Sequence, residues 1–121
     1  MKEDKIVFIV DDNETNRVTA KNALEGIYKT YAMPSAGKMF EMLEKIKPDL
    51  ILLDIEMPGM DGYDALMLLK LEDAHKDIPV ILLTAKNTKD SVLQGVDSGA
   101  ASYIIKPFEP SLLVERIAQY V

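Results

Sequence analysis

The sequence predicts an α/β fold in which five short parallel strands alternate with five helices in one doubly wound sheet. Two observations lead to this prediction. Three continuous apolar runs lack the polar alternation of half-buried strands, and they suit strands that are buried on both faces; they cover residues 5–10, 50–53 and 79–84. Between such runs, apolar residues recur at the three- and four-residue spacing of an amphipathic helix.

The first half of the chain reads as strand, helix, strand, helix. "KIVFIV" at 5–10 predicts the first strand, and the more polar "YKTYAM" at 28–33 predicts a second, weaker one. The helix between them and the helix after them each show one apolar face. These faces consist of Ala20, Ala23, Leu24 and Ile27 in the first helix and Ala36, Met39, Phe40 and Leu43 in the second. Ser35 is suited to cap the second helix, and Gly26 to follow the first.

The second half continues the alternation. "LILL" at 50–53 and "PVILLT" at 79–84 predict strands, and "SYIIK" at 102–106 predicts a weaker fifth strand. Helix-boundary residues stand around these runs: Asp61 and Pro110 suit helix starts, and Gly99 suits a helix end. The last helix keeps an apolar face through Leu113, Ile117 and Val121.

Composition limits the classes of function. The 121 residues predict one domain, 1–121, and the net charge of −6 argues against nucleic-acid binding by this domain alone. No apolar run approaches the ~20 residues of a membrane-spanning helix, and the N-terminus lacks the pattern of a secretory signal. The chain has no cysteine, which excludes disulfides and thiolate chemistry and is compatible with the cytoplasm. We therefore expect no membrane association and a cytoplasmic location.

Five polar residues stand at the carboxyl ends of predicted strands: Asp11, Asp12, Asp54, Thr84 and Lys106. Ligands of open parallel sheets bind at those ends, so these side chains are expected to converge on one cleft. Carboxylates about 4 Å apart repel by about 1 kcal/mol in water and more in a protein. A cation would offset this repulsion, and a ligand set of oxygens alone suits Mg²⁺ or Mn²⁺.

Each of these residues also has an ordinary structural explanation. Asp11 or Asp12 could cap a helix, Thr84 could be a β-branched strand residue, and Lys106 could be a solvated surface residue. An ordinary structural explanation for all five residues at once is less favoured, because the five residues share one edge of the predicted sheet.

Four segments carry a resemblance to a known family: "VDDNETNR", "DLILLDIEMPGMDGYD", "ILLTA" and "GAASYIIKPF". Over its whole length the chain resembles the receiver domains of two-component response regulators. The resemblance implies a (βα)5 fold of flavodoxin-like topology. It also implies a Mg²⁺-dependent phosphoacceptor in signal transduction, which assists its own phosphorylation and dephosphorylation but is not a conventional enzyme.

The resemblance also implies a role for each matching residue. Asp54 would accept the phosphoryl group, and Mg²⁺ would be held by Asp11, Asp12, Asp54 and the backbone carbonyl of Glu56. Thr84 would be the switch hydroxyl and Lys106 the cation facing the phosphoryl group. Tyr103 matches the switch aromatic, although spacing alone also allows a plain strand aromatic. The Lys106–Pro107 bond would be cis.

The implied partners are a sensor histidine kinase or a phosphotransfer protein as donor, and an effector protein or fused output domain downstream. The altered surface would comprise the fourth helix, the fifth strand and the fifth helix. Glu56 and Lys86 occupy positions that border the path of hydrolytic water in such domains. Their opposite charges suggest a salt bridge that would slow dephosphorylation; two unrelated solvated side chains are the alternative. His75, in a polar stretch, reads as a surface residue.

Three other classes compete with this interpretation. A flavodoxin-like nucleotide-binding module would need a loop of backbone N–H donors after the first strand, where this chain has "DDNETN". A haloacid-dehalogenase-like phosphatase would need Asp-x-Asp there, and Asn13 stands at the second position. A receiver that no longer accepts phosphate would lack one of the required residues, all of which are present.

Overall fold

The computed structural model describes residues 4–85 and 99–121, which contain one sheet of five parallel strands in the order β2-β1-β3-β4-β5. The strands are β1 (Ile6–Val10), β2 (Lys29–Met33), β3 (Leu50–Asp54), β4 (Val80–Thr84) and β5 (Ser102–Ile105). All five predicted strands are therefore present, and the doubly wound parallel fold is confirmed.

Four helices lie within the described residues. They are α1 (Glu14–Leu24), α2 (Ala36–Leu43), α3 (Gly62–Leu71) and the C-terminal helix α4 (Pro110–Ala118). The predicted helix between β4 and β5 falls in residues 86–98, outside the described residues, so α4 corresponds to the fifth helix of the sequence prediction. No described helix combines the length and the apolar character that crossing a membrane requires.

Two apolar clusters cover the two faces of the sheet. One cluster joins α2 and α3 to the sheet through residues such as Met39, Leu43 and Leu66. The other joins α1 and α4 to the opposite face through residues such as Leu24 and Leu113. Because β1, β3 and β4 are sandwiched between these layers, side chains along them are buried on both faces, as their continuous apolar runs predicted.

The two weaker strand predictions are the edge strands. β2 and β5 each pair on one side only, and most of their residues are partly or fully exposed. Edge strands are exposed to solvent, so they carry more polar residues than central strands do. This is why the apolar pattern of β2 and β5 is weak in the sequence.

Helix starts follow local side-chain chemistry. Ser35 accepts a hydrogen bond from the N–H of Lys38, and Asp61 accepts one from the N–H of Asp64, so both predicted caps are confirmed. The suggestion that Asp11 or Asp12 caps α1 is wrong. Asn13 is the N-cap, and its side chain accepts from the N–H of Asn16. This leaves the two aspartates in front of the helix, free for another role.

Candidate functional site

The candidate site lies at the carboxyl ends of β1 and β3, where the strand order reverses. From β1 the chain passes to β2 on one side and later to β3 on the other, which creates a crevice at the switch point. Asp11 and Asp12 follow β1, and Asp54 is the last residue of β3. Ligand oxygens from these three carboxylates lie within 4.8 Å of one another. The predicted convergence of the acids is therefore present.

Asp11 is completely buried, and three hydrogen bonds and one ion pair hold it. Its N–H donates to the carbonyl of Met33 at 3.2 Å, and its own carbonyl accepts from Arg17 Nη1 at 2.8 Å. Its Oδ1 accepts from the N–H of Asn13 at 2.9 Å, and its Oδ2 lies 3.0 Å from Lys106 Nζ. The side chain is thus fixed in position before any ligand arrives.

Asp54 is only 1% exposed, and its two oxygens differ. Oδ1 lies 2.8 Å from Lys106 Nζ and accepts the N–H of Glu56 at 3.2 Å. Oδ2 is buried and has no hydrogen-bond partner among the described residues. Burial raises the pKa of Asp54 to about 6; the hydrogen bond from Lys106 opposes this, and the nearby charge of Asp11 adds to it.

Lys106 provides the positive charge of the site. Its ammonium bridges Asp11 and Asp54, and its own N–H donates to the carbonyl of Thr84 at 2.7 Å. Burial acts to lower the pKa of Lys106, but hydrogen bonds to Asp54 and Asp11 outweigh burial and raise it. The alternative that Lys106 is a solvated surface residue is therefore wrong. The peptide bond to Pro107 is cis, as the resemblance implied.

The donor set suits a hard divalent cation. Three carboxylates and one ammonium leave a net negative charge, and Asp54 Oδ2 is a buried oxygen with no hydrogen-bond partner in the part of the chain that the structure describes. Asp12, unlike Asp11 and Asp54, is exposed, so the cluster is open to solvent on that side. These residues fit Mg²⁺ or Mn²⁺.

Thr84 and Tyr103 lie on the two strands beyond β3. Thr84 is the buried last residue of β4, one position beyond Leu83, which pairs with Asp54. Tyr103 is half-buried on β5, and its carbonyl accepts a hydrogen bond from Arg116 Nη1 at 2.9 Å. The structure therefore places the hydroxyl at the same edge as the acids and ties the aromatic residue to α4. The switch roles of these residues stay predictions.

Glu56 and His75 are the remaining predicted residues that the structure describes. The side chain of Glu56 is exposed, whereas Lys86 lies outside the described residues, so the predicted salt bridge stays a prediction. His75 is far from the acids in the chain and is half-buried; its Nδ1 is buried without a hydrogen-bond partner among the described residues.

Two residues that shape the site were missed by sequence reasoning. Arg17 reaches back from α1 to the carbonyl of Asp11, a contact that no local pattern indicates. Gly62 begins α3 against β3, and a Cβ there would lie 2.5 Å from the carbonyl oxygen of Asp54. Its position after Asp61 could have suggested a helix start but not this close approach to Asp54.

A family model described as the response regulator receiver domain matches residues 7–118. The chain is 40% identical over 114 residues to the phosphate regulon transcriptional regulatory protein PhoB of Pseudomonas aeruginosa, covering 93% of this chain and 50% of that protein. The chain spans about half the length of the first curated relatives that it matches.

Solved structures show the same architecture. The chemotaxis protein CheY4 of Vibrio cholerae superposes with a TM-score of 0.91 at 23% identity, covering 97% of this chain and 98% of that one, which supports the fold. The receiver domain of a signal transduction histidine kinase from Syntrophus aciditrophicus superposes with a TM-score of 0.87 at 32% identity, covering 97% and 89%.

Proposed function

Because the chain belongs to the response regulator receiver domain family, we propose that Asp54 accepts a phosphoryl group in a Mg²⁺-dependent reaction. The donor is a phosphohistidine on a sensor histidine kinase or a phosphotransfer protein. The supporting observation is the arrangement of Asp54, whose Oδ1 is held by Lys106 and Glu56, while its buried Oδ2 has no hydrogen-bond partner within residues 4–85 and 99–121. One oxygen orients the carboxylate, and the other is available for a new bond.

The reaction requires a nucleophile and compensation of charge. A carboxylate oxygen of Asp54 forms a bond to phosphorus while the phosphorus–nitrogen bond of the donor breaks. The electron pair leaves with the imidazole, which then takes up a proton. Lys106, which already lies against Asp54, faces the negative charge of the phosphoryl oxygens. Asp11 holds the same ammonium from the other side and keeps it in place.

Mg²⁺ would be held by Asp11, Asp12, Asp54 and the backbone carbonyl of Glu56. Mn²⁺ could take its place, because it also prefers oxygen ligands. When bound, the ion offsets repulsion between the attacking carboxylate and the incoming phosphoryl oxygens. The closeness of the three carboxylates, whose ligand oxygens lie within 4.8 Å of one another, and the solvent-open side at Asp12 support this assignment.

The signal leaves the site through Thr84 and Tyr103. In this proposal, the Thr84 hydroxyl donates a hydrogen bond to a phosphoryl oxygen, and Tyr103 reorients. The surface formed by the predicted helix between β4 and β5, by β5 and by α4 then shifts its population of states. The tie from Arg116 to Tyr103 supports a mechanical link between β5 and α4. We expect Thr84→Ala to leave phosphorylation intact but to weaken chemical-shift changes at Tyr103 on addition of beryllofluoride. Equal shift changes in both proteins would contradict this role.

Glu56 and Lys86 tune the lifetime of the phosphorylated state. If they form a bridge, Glu56→Ala and Lys86→Ala should each speed phosphate release, and the double variant should be no faster than the faster single variant. Rates that multiply in the double variant would show that the two side chains act separately.

The domain is a signalling component and not a conventional enzyme, and residues 1–121 act as one receiver unit. Its output goes to an effector protein or a fused output domain, with no nucleic-acid or membrane contact by this domain. Because the donor kinase transfers phosphate inside the cell, we propose a cytoplasmic location. A flavin-binding module or a dehalogenase-like phosphatase is disfavoured by the family membership.

The direct test is phosphorylation by acetyl phosphate with Mg²⁺, followed by intact mass. We expect one acid-labile phosphoryl group on the wild type and none on Asp54→Asn. Asp73→Asn is the matched control, because it makes the same chemical change at a carboxylate that is 96% exposed. A phosphoryl group that persists in Asp54→Asn, or is absent from the wild type, would overturn the proposal.

A further inference from the structure

A groove between α2 and α3 is separate from the candidate site. It has a volume of about 500 Å³ and is lined by Phe40, Glu44, Leu68, Leu71, Glu72 and His75. Both helices return from the carboxyl edge of the sheet to its amino edge, because each joins two parallel strands. The C-terminal ends of both helices therefore lie at the edge of the sheet opposite Asp54.

The apolar part of the groove is unusually exposed. Leu71 is 74% exposed, Leu68 is 41% exposed, and the neighbouring Met67 is 59% exposed. Single exposed apolar residues are ordinary, but several beside a concave surface are typical of a protein-binding site. Phe40 supplies an aromatic side chain to the same groove from α2.

The charged part of the groove consists of two glutamates, Glu44 and Glu72. Glu44 and Glu72 are the C-caps of α2 and α3, and neither forms a salt bridge within the described part of the chain. A helix C-terminus carries partial negative charge, so two carboxylates there add to a potential of the same sign. The last turn of α2 has no basic residue, and Lys70 of α3 donates to the carbonyl of Lys76. None of the residues lining the groove is a lysine or an arginine.

We propose that this groove binds an amphipathic helix of a partner protein, one that presents apolar residues on one face with lysine or arginine beside them. Helices bind such grooves through apolar anchors spaced three and four residues apart. Basic residues of the partner would compensate Glu44 and Glu72. This surface lies at the opposite edge of the sheet from Asp54, so binding does not require phosphorylation.

Two other occupants fit less well. A second copy of this chain, meeting the groove about a two-fold axis, would bring the same glutamates together. An anionic membrane surface would be repelled by the same carboxylates. The charge of the groove therefore favours a basic partner over both.

The probe is a designed Leu–Lys peptide of about 15 residues, long enough to form an amphipathic helix. A peptide of the same composition, with its order changed so that the apolar face is lost, is the peptide control. Binding is followed by chemical-shift mapping and fluorescence anisotropy. We expect shifts in residues that line the groove, and roughly tenfold weaker binding by the rearranged peptide.

Variants decide whether the groove itself is responsible. Leu71→Ala and the double variant Glu44→Gln/Glu72→Gln should each weaken binding by roughly tenfold. Leu112→Ala and the double variant Glu109→Gln/Glu115→Gln, at exposed positions of α4 and its N-cap, are the matched controls and should bind as the wild type does. Asp54→Asn should also bind normally, which separates this proposal from the phosphoacceptor function.

Three results would overturn the proposal. Equal loss in groove and control variants would indicate unspecific attraction to an acidic chain. Dimerisation that Leu71→Ala abolishes, measured by light scattering, would identify a second copy as the occupant. Loss of peptide binding in Asp54→Asn would show that the surface is not independent of the phosphoacceptor site.

Discussion

Both edges of the sheet carry acidic side chains, but these side chains differ in burial and in ion pairing. At the carboxyl edge, Asp11 and Asp54 are buried and share the ammonium of Lys106. At the amino edge, Glu44 and Glu72 are exposed and have no described salt bridge. Burial therefore couples the first pair to the stability of the fold, whereas exposure leaves the second pair available to a partner.

This difference determines how large each effect should be. Charges in water interact weakly, while charges removed from water are costly unless paired. Substitutions at the carboxyl edge should change the free energy of unfolding by about 1 kcal/mol or more, and those at the amino edge by a few tenths of a kcal/mol.

Removal of the shared cation should have the largest effect. Lys106→Met leaves two buried carboxylates without compensation, so we expect a loss of about 3 kcal/mol in the free energy of unfolding in EDTA. Added Mg²⁺ should restore part of the loss by supplying another cation. Lys38→Met, which breaks an exposed pair with Glu41, is the control and should cost less than about 1 kcal/mol. Equal losses by urea titration would show that burial of an ion pair does not determine the cost of breaking it.

Removal of one buried carboxylate should stabilise the metal-free protein. Asp54→Asn relieves repulsion from Asp11 and leaves Lys106 one acidic partner, so we expect a gain of roughly 1–3 kcal/mol in EDTA, with loss of phosphorylation. Asp12→Asn should gain less, because Asp12 is exposed. Mg²⁺ should stabilise the wild type more than either variant. Denaturant curves that place Asp54→Asn below the wild type in EDTA would contradict this prediction.

The gain from Asp54→Asn should depend on pH. Burial raises the pKa of Asp54 from 3.8 to about 6 in the folded protein. The folded state therefore binds the proton more tightly than the unfolded state, and this stabilisation is present below the unfolded pKa and lost as pH rises through about 6. We expect the variant to exceed the wild type little near pH 4 and most near pH 7. A stability difference that stays constant over this range would show that charge at Asp54 is not the cause.

The amino edge should respond weakly. Glu44→Gln and Glu72→Gln each remove a carboxylate from the negative end of a helix, so each should raise stability by about 0.3–0.5 kcal/mol at low salt. Glu14→Gln is the control and should lower stability, because Glu14 lies in the first turn of α1, where a carboxylate is favourable. Changes above about 1 kcal/mol at Glu44 or Glu72 would mean that these side chains are coupled to the fold after all.

Much of the fold was predictable because its signals are local. Continuous apolar runs marked the three central strands, and Ser35 and Asp61 marked helix starts. The identity of the α1 cap was not predictable, because Asp11, Asp12 and Asn13 are all good capping residues. The backbone conformation decides that Asn13 is the cap, because Asn13 has extended φ and ψ directly before the first helical residue.

The sequence by itself determined the residue types of the site and their positions at strand ends, since a strand end follows from where an apolar run stops. Tertiary structure decided which of these residues meet. Lys106 lies between Asp11 and Asp54, far from both in the chain, and Arg17 fixes the carbonyl of Asp11 from α1. The physical reason is that hydrophobic periodicity specifies burial and element type residue by residue, whereas ion pairing and desolvation depend on distances across the assembled sheet.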